Sequence, residues 1–205
     1  LLYGSLSPDN GSVVPGETTV IGYYRQSGLD FNDSDRVIDV VKEVADYIEM
    51  AGGETLSASQ LLSHFLFPPS KQHGLIKNLS GGEKKRLHLM RVLMKNPNVL
   101  ILDEPTNDLD IDTLNVLEDF LEHYSGVLIL VSHDRYLIDK LSEQLFVFDG
   151  LGNIQIYNGN YADYKAEEEE LARQKKTAAH TAVPKEKTLP ADPGKRKPSF
   201  KERQE

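Results

Sequence analysis

The sequence contains no cysteine and no tryptophan among its 205 residues. Without cysteine the chain cannot form a disulfide, a thiolate zinc site or a thiol nucleophile. Its longest apolar run, Val127–Val131, suits a buried strand and is far shorter than the roughly 18–20 residues that a membrane-spanning helix requires. No secretory signal is visible, so we expect a cytoplasmic protein. With 39% apolar residues, the chain can still bury a core of ordinary size.

Charge is distributed unevenly along the chain. Residues 1–164 carry 12 Lys/Arg and 24 Asp/Glu, a net charge of −12, whereas residues 165–205 carry 11 and 8, a net charge of +3. The second region has almost no large apolar residues, so it cannot bury enough surface to fold alone. We predict a globular domain over 1–164 and a charged tail over 165–205, helical to about Ala179 and then disordered. We favour a solvated tail; nucleic-acid contact through phosphates is the alternative.

The apolar residues of the first region alternate between helical and strand patterns. Helical spacing from Val37 to Ile48 predicts an amphipathic helix. Ser57 with Gln60, and Ser80 with Glu83, have the spacing of capping boxes that open helices. The predicted elements are a strand over 20–24, helices over 37–48, 58–66 and 81–96, a strand over 99–102, a helix around 114–121, a strand over 127–131, a helix over 135–141 and strands over 145–148 and 154–157.

Continuous apolar strands separated by helices predict an α/β fold with a mostly parallel sheet covered on both faces. Ligands of such sheets bind beyond the carboxyl ends of the strands. Polar residues follow three of the predicted strands at that edge, namely Gln26, Asp103 with Glu104, and His133. They suit a Mg²⁺-dependent phosphoanhydride hydrolase, with Asp103 holding Mg²⁺, Glu104 activating water and His133 contacting the phosphoryl group. The alternatives are that the two acids cap the next helix and that His133 is structural.

The segment Ser80-Gly81-Gly82 opens one of the predicted helices. Glycines there weaken the helix by roughly 1 kcal/mol each relative to alanine. Without Cβ atoms, however, an anion can approach the free backbone N–H groups at the positive end of the helix dipole, and Ser80 adds a hydroxyl donor. The alternative is an ordinary capped helix with a glycine-rich entry.

Together these residues resemble the motifs of ATP-binding cassette (ABC) ATPases. Residues 79–83 resemble the signature motif, 99–103 with Glu104 the Walker B strand and catalytic glutamate, and 107–110 the D-loop. His133 resembles the switch histidine and Gln26 the Q-loop glutamine. The resemblance implies a P-loop NTPase nucleotide-binding domain with a helical signature subdomain over about 35–96. It also implies ATP and Mg²⁺ as cofactors, with Gln26 and Asp103 at Mg²⁺, and Ser80, Gly81, Gly82 and Asp110 at a composite nucleotide site.

The residues within these motifs are similar to those of the ABC-F branch of this family. Residues 104–110, 132–136 and 159–164 resemble sequence motifs of ABC-F proteins. Residues 58–67, together with the tail, look most like the second cassette of the Uup type. The resemblance implies two cassettes on one polypeptide, the ribosome or RNA as partner, DNA as a further partner and no membrane subunit. The alternatives are the ATPase subunit of an ABC transporter and a non-catalytic module that binds ribosome or DNA.

The phosphate-cradling motif G-x-x-x-x-G-K-[ST] occurs nowhere in the 205 residues. In the family this loop precedes a short helix containing two leucines, which Leu1-Leu2 resembles. We therefore expect a sequence that begins just after the loop, with the first cassette absent, the domain incomplete at its N-terminus and some sheet edges unpaired. We also expect that these 205 residues alone hydrolyse ATP negligibly.

Overall fold

The computed structural model describes residues 2–25, 30–50 and 53–181, with only the backbone given for 175–181. The chain divides into two compact units between Tyr164 and Lys165. The predicted disordered end of the tail, beyond residue 181, lies outside the described residues. No helix in the described part of the chain is long and apolar enough to span a membrane.

The secondary-structure elements of the described residues are numbered in chain order. Two further 3₁₀ turns lie at Ile76–Asn78 and Pro105–Asn107. The elements are β1 (Ile21–Tyr24), α1 (Val37–Lys42), β2 (Tyr47–Glu49), β3 (Thr55–Ser57), α2 (Ala58–His64), α3 (Pro69–Gln72), α4 (Gly81–Leu93), β4 (Val99–Asp103), α5 (Ile111–Glu122), β5 (Val127–Val131), α6 (Arg135–Leu141), β6 (Gln144–Phe148), β7 (Ile154–Asn158) and α7 (Tyr161–Thr181).

A three-stranded parallel sheet lies at the centre of the first unit, in the order β1-β4-β5. Its register places Tyr24 beside Leu102 and Asp103 beside Val131, so the carboxyl ends of all three strands meet at one edge. Alternate residues of β1 and β4 are buried, whereas their neighbours are only half-buried. The predicted parallel sheet is confirmed, and the residues of β1 and β4 are buried on one face and half-buried on the other.

Helix α4 packs closely against β1, and Gly22 makes that approach possible. A Cβ at Gly22 would lie 2.8 Å from Pro97 Cγ and 3.1 Å from Val92 Cγ1. The inward face of α4 contributes fully buried Leu87, Leu89 and Met90 to the core. The helix that begins at Ser80 is therefore anchored by its apolar face directly on the sheet.

Both predicted capping boxes are confirmed, at Ser57 with Gln60 and at Ser80 with Glu83. The helices end earlier than predicted, α2 at His64 and α4 at Leu93. Leu66 and Asn96 adopt left-handed conformations, with φ of 63° and 48°, which a continuing right-handed helix does not allow. The apolar pattern extended past the point at which the backbone turns.

The predicted helix over 37–48 is wrong in its second half. Helix α1 ends at Lys42, and Ile48 lies in β2, which pairs antiparallel with β3. Ile48 is buried while its neighbours Tyr47 and Glu49 are exposed, which is the alternation of a strand. Ile48 also satisfied the helical spacing, so periodicity alone could not distinguish the two structures.

Strands β6 and β7 form an antiparallel hairpin of their own, and in the described structure they do not join the parallel sheet. The hairpin exposes one apolar face, made of Phe146, Phe148, Ile154 and Ile156. Among the described strands, β1 and β5 each have one neighbour only, so the sheet has two open edges.

Candidate functional site

Two acids stand at the carboxyl end of β4. Asp103 is the last residue of the strand, and its Oδ2 accepts a 3.0 Å hydrogen bond from the Tyr23 hydroxyl on β1. Burial, together with this bond to the carboxylate, raises the pKa of Tyr23. Asp103 therefore bonds a neighbouring strand and does not cap a helix.

Glu104 follows in a left-handed conformation, with φ 50° and ψ 52°, and its carboxylate makes no capping bond to the 3₁₀ turn that begins at Pro105. Its backbone N–H donates a 2.8 Å bond to the Val131 carbonyl of β5. The turn directs the Glu104 side chain, 17% exposed, toward the loop after β5. The interpretation of these acids as helix caps is wrong.

Glu104 and His133 meet at this edge. Glu104 Oε1 lies 3.4 Å from His133 Nε2, and Oε2 accepts a bond of 3.4 Å from the His133 backbone N–H. The imidazole itself is 95% exposed. A carboxylate and an imidazole from two different strand ends thus lie side by side, open to a ligand.

The Ser80 turn shows an unusual use of glycine. The Ser80 hydroxyl accepts from the Glu83 N–H, and the Glu83 carboxylate accepts from the Ser80 N–H at 2.8 Å. A hydrogen bond from Lys71 holds the pKa of Glu83 below its usual range. A Cβ at Gly81 or Gly82 would meet nothing within 4 Å, and neither residue has positive φ. Packing does not require these glycines, so their helix cost is not offset inside the described chain.

Asp110 is held within the chain. Its Oδ1 caps α5 by accepting from the Thr113 N–H at 2.8 Å and the Thr113 hydroxyl at 2.7 Å. Its Oδ2 accepts from Arg86 Nη2 at 2.6 Å. The Thr113 bonds, with a contribution from Arg86, hold the pKa of Asp110 below its usual range. The structure therefore ties Asp110 to the helix that Ser80 begins.

Several contacts around the site were not predicted. Tyr23 on Asp103, Arg86 on Asp110, and Lys85 on Asp108 join elements far apart in the sequence. The sequence does show two adjacent cations, at 85 and 86, and two acids that are two residues apart, at 108 and 110. Their pairing could not be predicted from it, because only the fold brings them together.

Gln26, predicted to contact Mg²⁺, lies outside the described residues. Within the described part of the chain, no group of three or more His, Asp or Glu side chains could hold a metal ion. Mg²⁺ does not need such a cage, because it is commonly bound by one or two carboxylates plus phosphate oxygens and water. A single carboxylate at the end of β4 fits that pattern.

Comparison with known families identifies the cassette. A family model described as ABC transporter matches residues 1–107. The chain belongs to the ABC transporter family. The predicted ABC-F resemblance is also confirmed, because relatives in this family carry the names Uup and EttA.

Three curated relatives in the ABC transporter family illustrate the similarity. The uncharacterized ABC transporter ATP-binding protein YfmR of Bacillus subtilis is 47% identical over 96% of this chain and 30% of its own length. The ATP-binding protein Uup of Escherichia coli is 36% identical over 87% of this chain and 28% of its own length. The energy-dependent translational throttle protein EttA of Haemophilus influenzae is 36% identical over 80% and 30%. The chain therefore spans less than a third of each relative.

Solved ABC structures share the fold. The dimeric ATP-binding cassette MJ0796 bound to ADP and Pi matches with a TM-score of 0.51 and 19% identity, covering 68% of this chain and 63% of that one. The archaeal ribosome recycling factor aABCE1, in complex with the ribosomal stalk protein aP1, matches with a TM-score of 0.56 and 22% identity, covering 78% and 29%. The predicted ABC-type α/β fold is thus confirmed.

Proposed function

We propose that this chain is part of an ABC-F ATPase that binds ATP with Mg²⁺ and hydrolyses it. Glu104 is the general base that orients and deprotonates water, and His133 hydrogen-bonds the γ-phosphate. The observation that carries this proposal is the position of the Glu104 carboxylate, which lies 3.4 Å from His133 Nε2 at the edge where the carboxyl ends of the parallel strands meet. A base must reach its proton within hydrogen-bond distance, and this edge is where ligands of such sheets bind.

The other residues have supporting roles in this proposal. Asp103, with Gln26, holds Mg²⁺, which when bound neutralises charge on the phosphates. Ser80, Gly81 and Gly82 offer a hydroxyl and backbone N–H groups to phosphate oxygens. Support comes from the open space beside both glycines, where an added Cβ would meet nothing within 4 Å, so that an anion can approach the backbone N–H groups.

The nucleotide facing Ser80 would be held by a first ABC cassette of the same polypeptide, with Asp110 coupling the two sites. Support for this partner comes from the relatives, of which the chain matches only 28–30% in YfmR, Uup of Escherichia coli and EttA. A phosphate-binding loop would come from outside these 205 residues, whose sequence contains none.

A chimaera tests the catalytic proposal. In this chimaera the present chain replaces the matching segment of YfmR, with which it shares 47% identity. We expect Mg²⁺-dependent ATP hydrolysis at a rate similar to parent YfmR, reduced about 100-fold by Glu104→Gln with ATP binding retained. Glu122→Gln, which alters an exposed carboxylate paired with Lys140, is the matched control and keeps the rate. Full activity in the Glu104→Gln chimaera would contradict the role of Glu104.

We further propose that the complete protein acts in the cytoplasm on the ribosome, and that it has no membrane subunit. Two similar proteins support this role through their names: EttA is a translational throttle protein, and aABCE1 is a ribosome recycling factor. In a sedimentation assay, the Glu104→Gln chimaera with ATP should pellet with ribosomes, and without ATP it should not. Retention on DNA alone, or copurification with a membrane protein, would favour the alternatives.

A further inference from the structure

Two neighbouring cations on α4 contact the Glu104 loop, which comprises residues 104–110 between β4 and α5. Lys85 Nζ forms an ion pair with Asp108 Oδ1, and Arg86 Nη2 bonds Asp110 Oδ2 at 2.6 Å. Both cations lie in the first turns of the helix that Ser80 begins. The loop and the start of α4 are therefore joined twice, although some twenty residues separate the partners in each pair.

The Lys85–Asp108 pair is the more deeply placed of the two. The Asp108 side chain is 5% exposed, against 52% for Asp110. Asp108 Oδ2 is buried and has no hydrogen-bond partner among the described residues. A carboxylate in such surroundings depends on its one cation, because desolvation strongly disfavours an unpaired buried charge. Lys85 is thus the one cation that the described residues pair with Asp108, and through this pair it joins the loop to α4.

The loop needs such an anchor, because its backbone is strained. Glu104 is a non-glycine residue in the left-handed region, at φ 50° and ψ 52°. Such conformations persist only where the surrounding structure enforces them. Within the loop, the backbone bonds measure 3.2 Å from Asn107 N–H to the Glu104 carbonyl and 3.3 Å from Asp108 and Leu109 N–H to the Pro105 carbonyl, at the upper end of the usual range or just beyond it.

We propose that Lys85 is a positioning residue, which through Asp108 fixes the strained turn at Glu104 against the start of α4. The catalytic consequence rests on the proposed function of Glu104, whereas the anchoring does not. Lys85 touches no reacting atom. It determines where the Glu104 carboxylate lies relative to the Ser80 turn.

The neighbouring Lys84 provides a matched control. It belongs to the same turn of α4 and also makes an ion pair, to Asp33 at 2.9 Å, but Asp33 is 66% exposed and lies far from the loop in the sequence. Lys84→Met and Lys85→Met therefore remove the same side chain and one ion pair each. Only the second removes an anchor of the Glu104 loop.

Amide hydrogen exchange of the 205-residue chain tests the proposal without nucleotide. In Lys85→Met we expect the amides of Asn107, Asp108 and Leu109 to exchange about tenfold faster, with α2 and β4 unchanged, because a local opening replaces a closed loop. Asp108→Asn should do the same while leaving the half-buried lysine in place. Lys84→Met should leave the loop amides unchanged, and Lys85→Arg should restore protection.

Two results would overturn the proposal: unchanged loop exchange in both Lys85→Met and Asp108→Asn, or equal acceleration throughout the chain, which indicates general destabilisation. Failure of the proposed function is seen separately. If Glu104→Gln leaves the YfmR chimaera active while Lys85→Met still loosens the loop, the anchor stands and the catalytic role of Glu104 does not.

Discussion

Arg86 donates a hydrogen bond of 2.6 Å to Asp110, across a gap of 24 positions in the sequence. Arg86 is itself buried, with its guanidinium 5.6 Å from the Phe67 ring centroid. The pair therefore connects the apolar core at Phe67 with Asp110, the residue that precedes α5. Asp110 thus caps α5 and at the same time joins it to α4, through Arg86.

The charge of Asp110 should contribute to stability in a pH-dependent way. The pKa of Asp110 is lowered in the folded chain by its Thr113 bonds and by Arg86. A carboxyl group whose pKa is lowered by folding stabilises the folded state when the pH is above the ordinary pKa of Asp. This contribution is lost as the pH falls through the pKa of the group in the folded state. Asp110→Asn, which can still cap a helix, should lower the free energy of unfolding by less than about 1 kcal/mol near neutral pH, because the Asp110 side chain is half exposed and solvent screens its charge.

Urea unfolding at several pH values measures this effect. The difference between the original chain and Asp110→Asn should be constant from about pH 7 to pH 5 and shrink below about pH 4. Asp112→Asn, on the exposed first turn of the same helix, is the control and should show little difference. A difference that grows on acidification would contradict the assignment.

Gly81 and Gly82 should limit stability without helping the fold. Because a Cβ at either site meets open space, Gly81→Ala and Gly82→Ala should each raise the free energy of unfolding, by up to about 1 kcal/mol. Thermal denaturation followed by circular dichroism checks this expectation. Loss of stability in either variant would show that the glycines serve packing.

Gly22 provides the opposite case within the same chain. A Cβ there would lie 2.8 Å from the Pro97 ring and 3.1 Å from Val92 of α4, so Gly22→Ala forces both residues away from β1. We expect a loss of about 1–3 kcal/mol in unfolding free energy, the usual cost of overpacking. The same denaturation measurement applies, and an unchanged midpoint would contradict the close packing seen here.

The isolated 205-residue chain should release phosphate from Mg²⁺-ATP at a negligible rate. Its sequence has no lysine in a G-x-x-x-x-G-K-[ST] loop to bind the β- and γ-phosphates. A phosphate-release assay measures this directly. Turnover by the chain that disappears in Glu104→Gln would refute the expectation, since it would show a complete site within these residues.

The isolated chain should also associate through its exposed hairpin. Phe146 and Ile156 face each other across β6 and β7, and both are 57% exposed. Replacing both with threonine should raise the soluble, monomeric fraction in sedimentation velocity, because the apolar patch is reduced. Val14→Thr, at an exposed residue outside the hairpin, is the control. A monomer at high concentration before any substitution would contradict the prediction.

Local patterns were sufficient for most helix starts and for five of the seven described strands, but they did not reveal β2 and β3. The capping boxes at Ser57 and Ser80 depend on residues three positions apart, so the sequence contains the whole interaction. The run Val127–Val131 likewise forms the predicted strand. Ile48 was misassigned because its burial is set by its pairing with Leu56 on β3, which helical spacing does not contain.

By itself the sequence determined the family, the order of the motifs and the residues expected at the site, because short motifs and strand ends are local features. Only the tertiary structure decided which of these residues meet. It places Glu104 beside His133, draws Asp110 to Arg86 and buries Asp108 against Lys85. These contacts depend on how β4, β5 and α4 pack, and packing is a property of the whole chain that no single segment encodes.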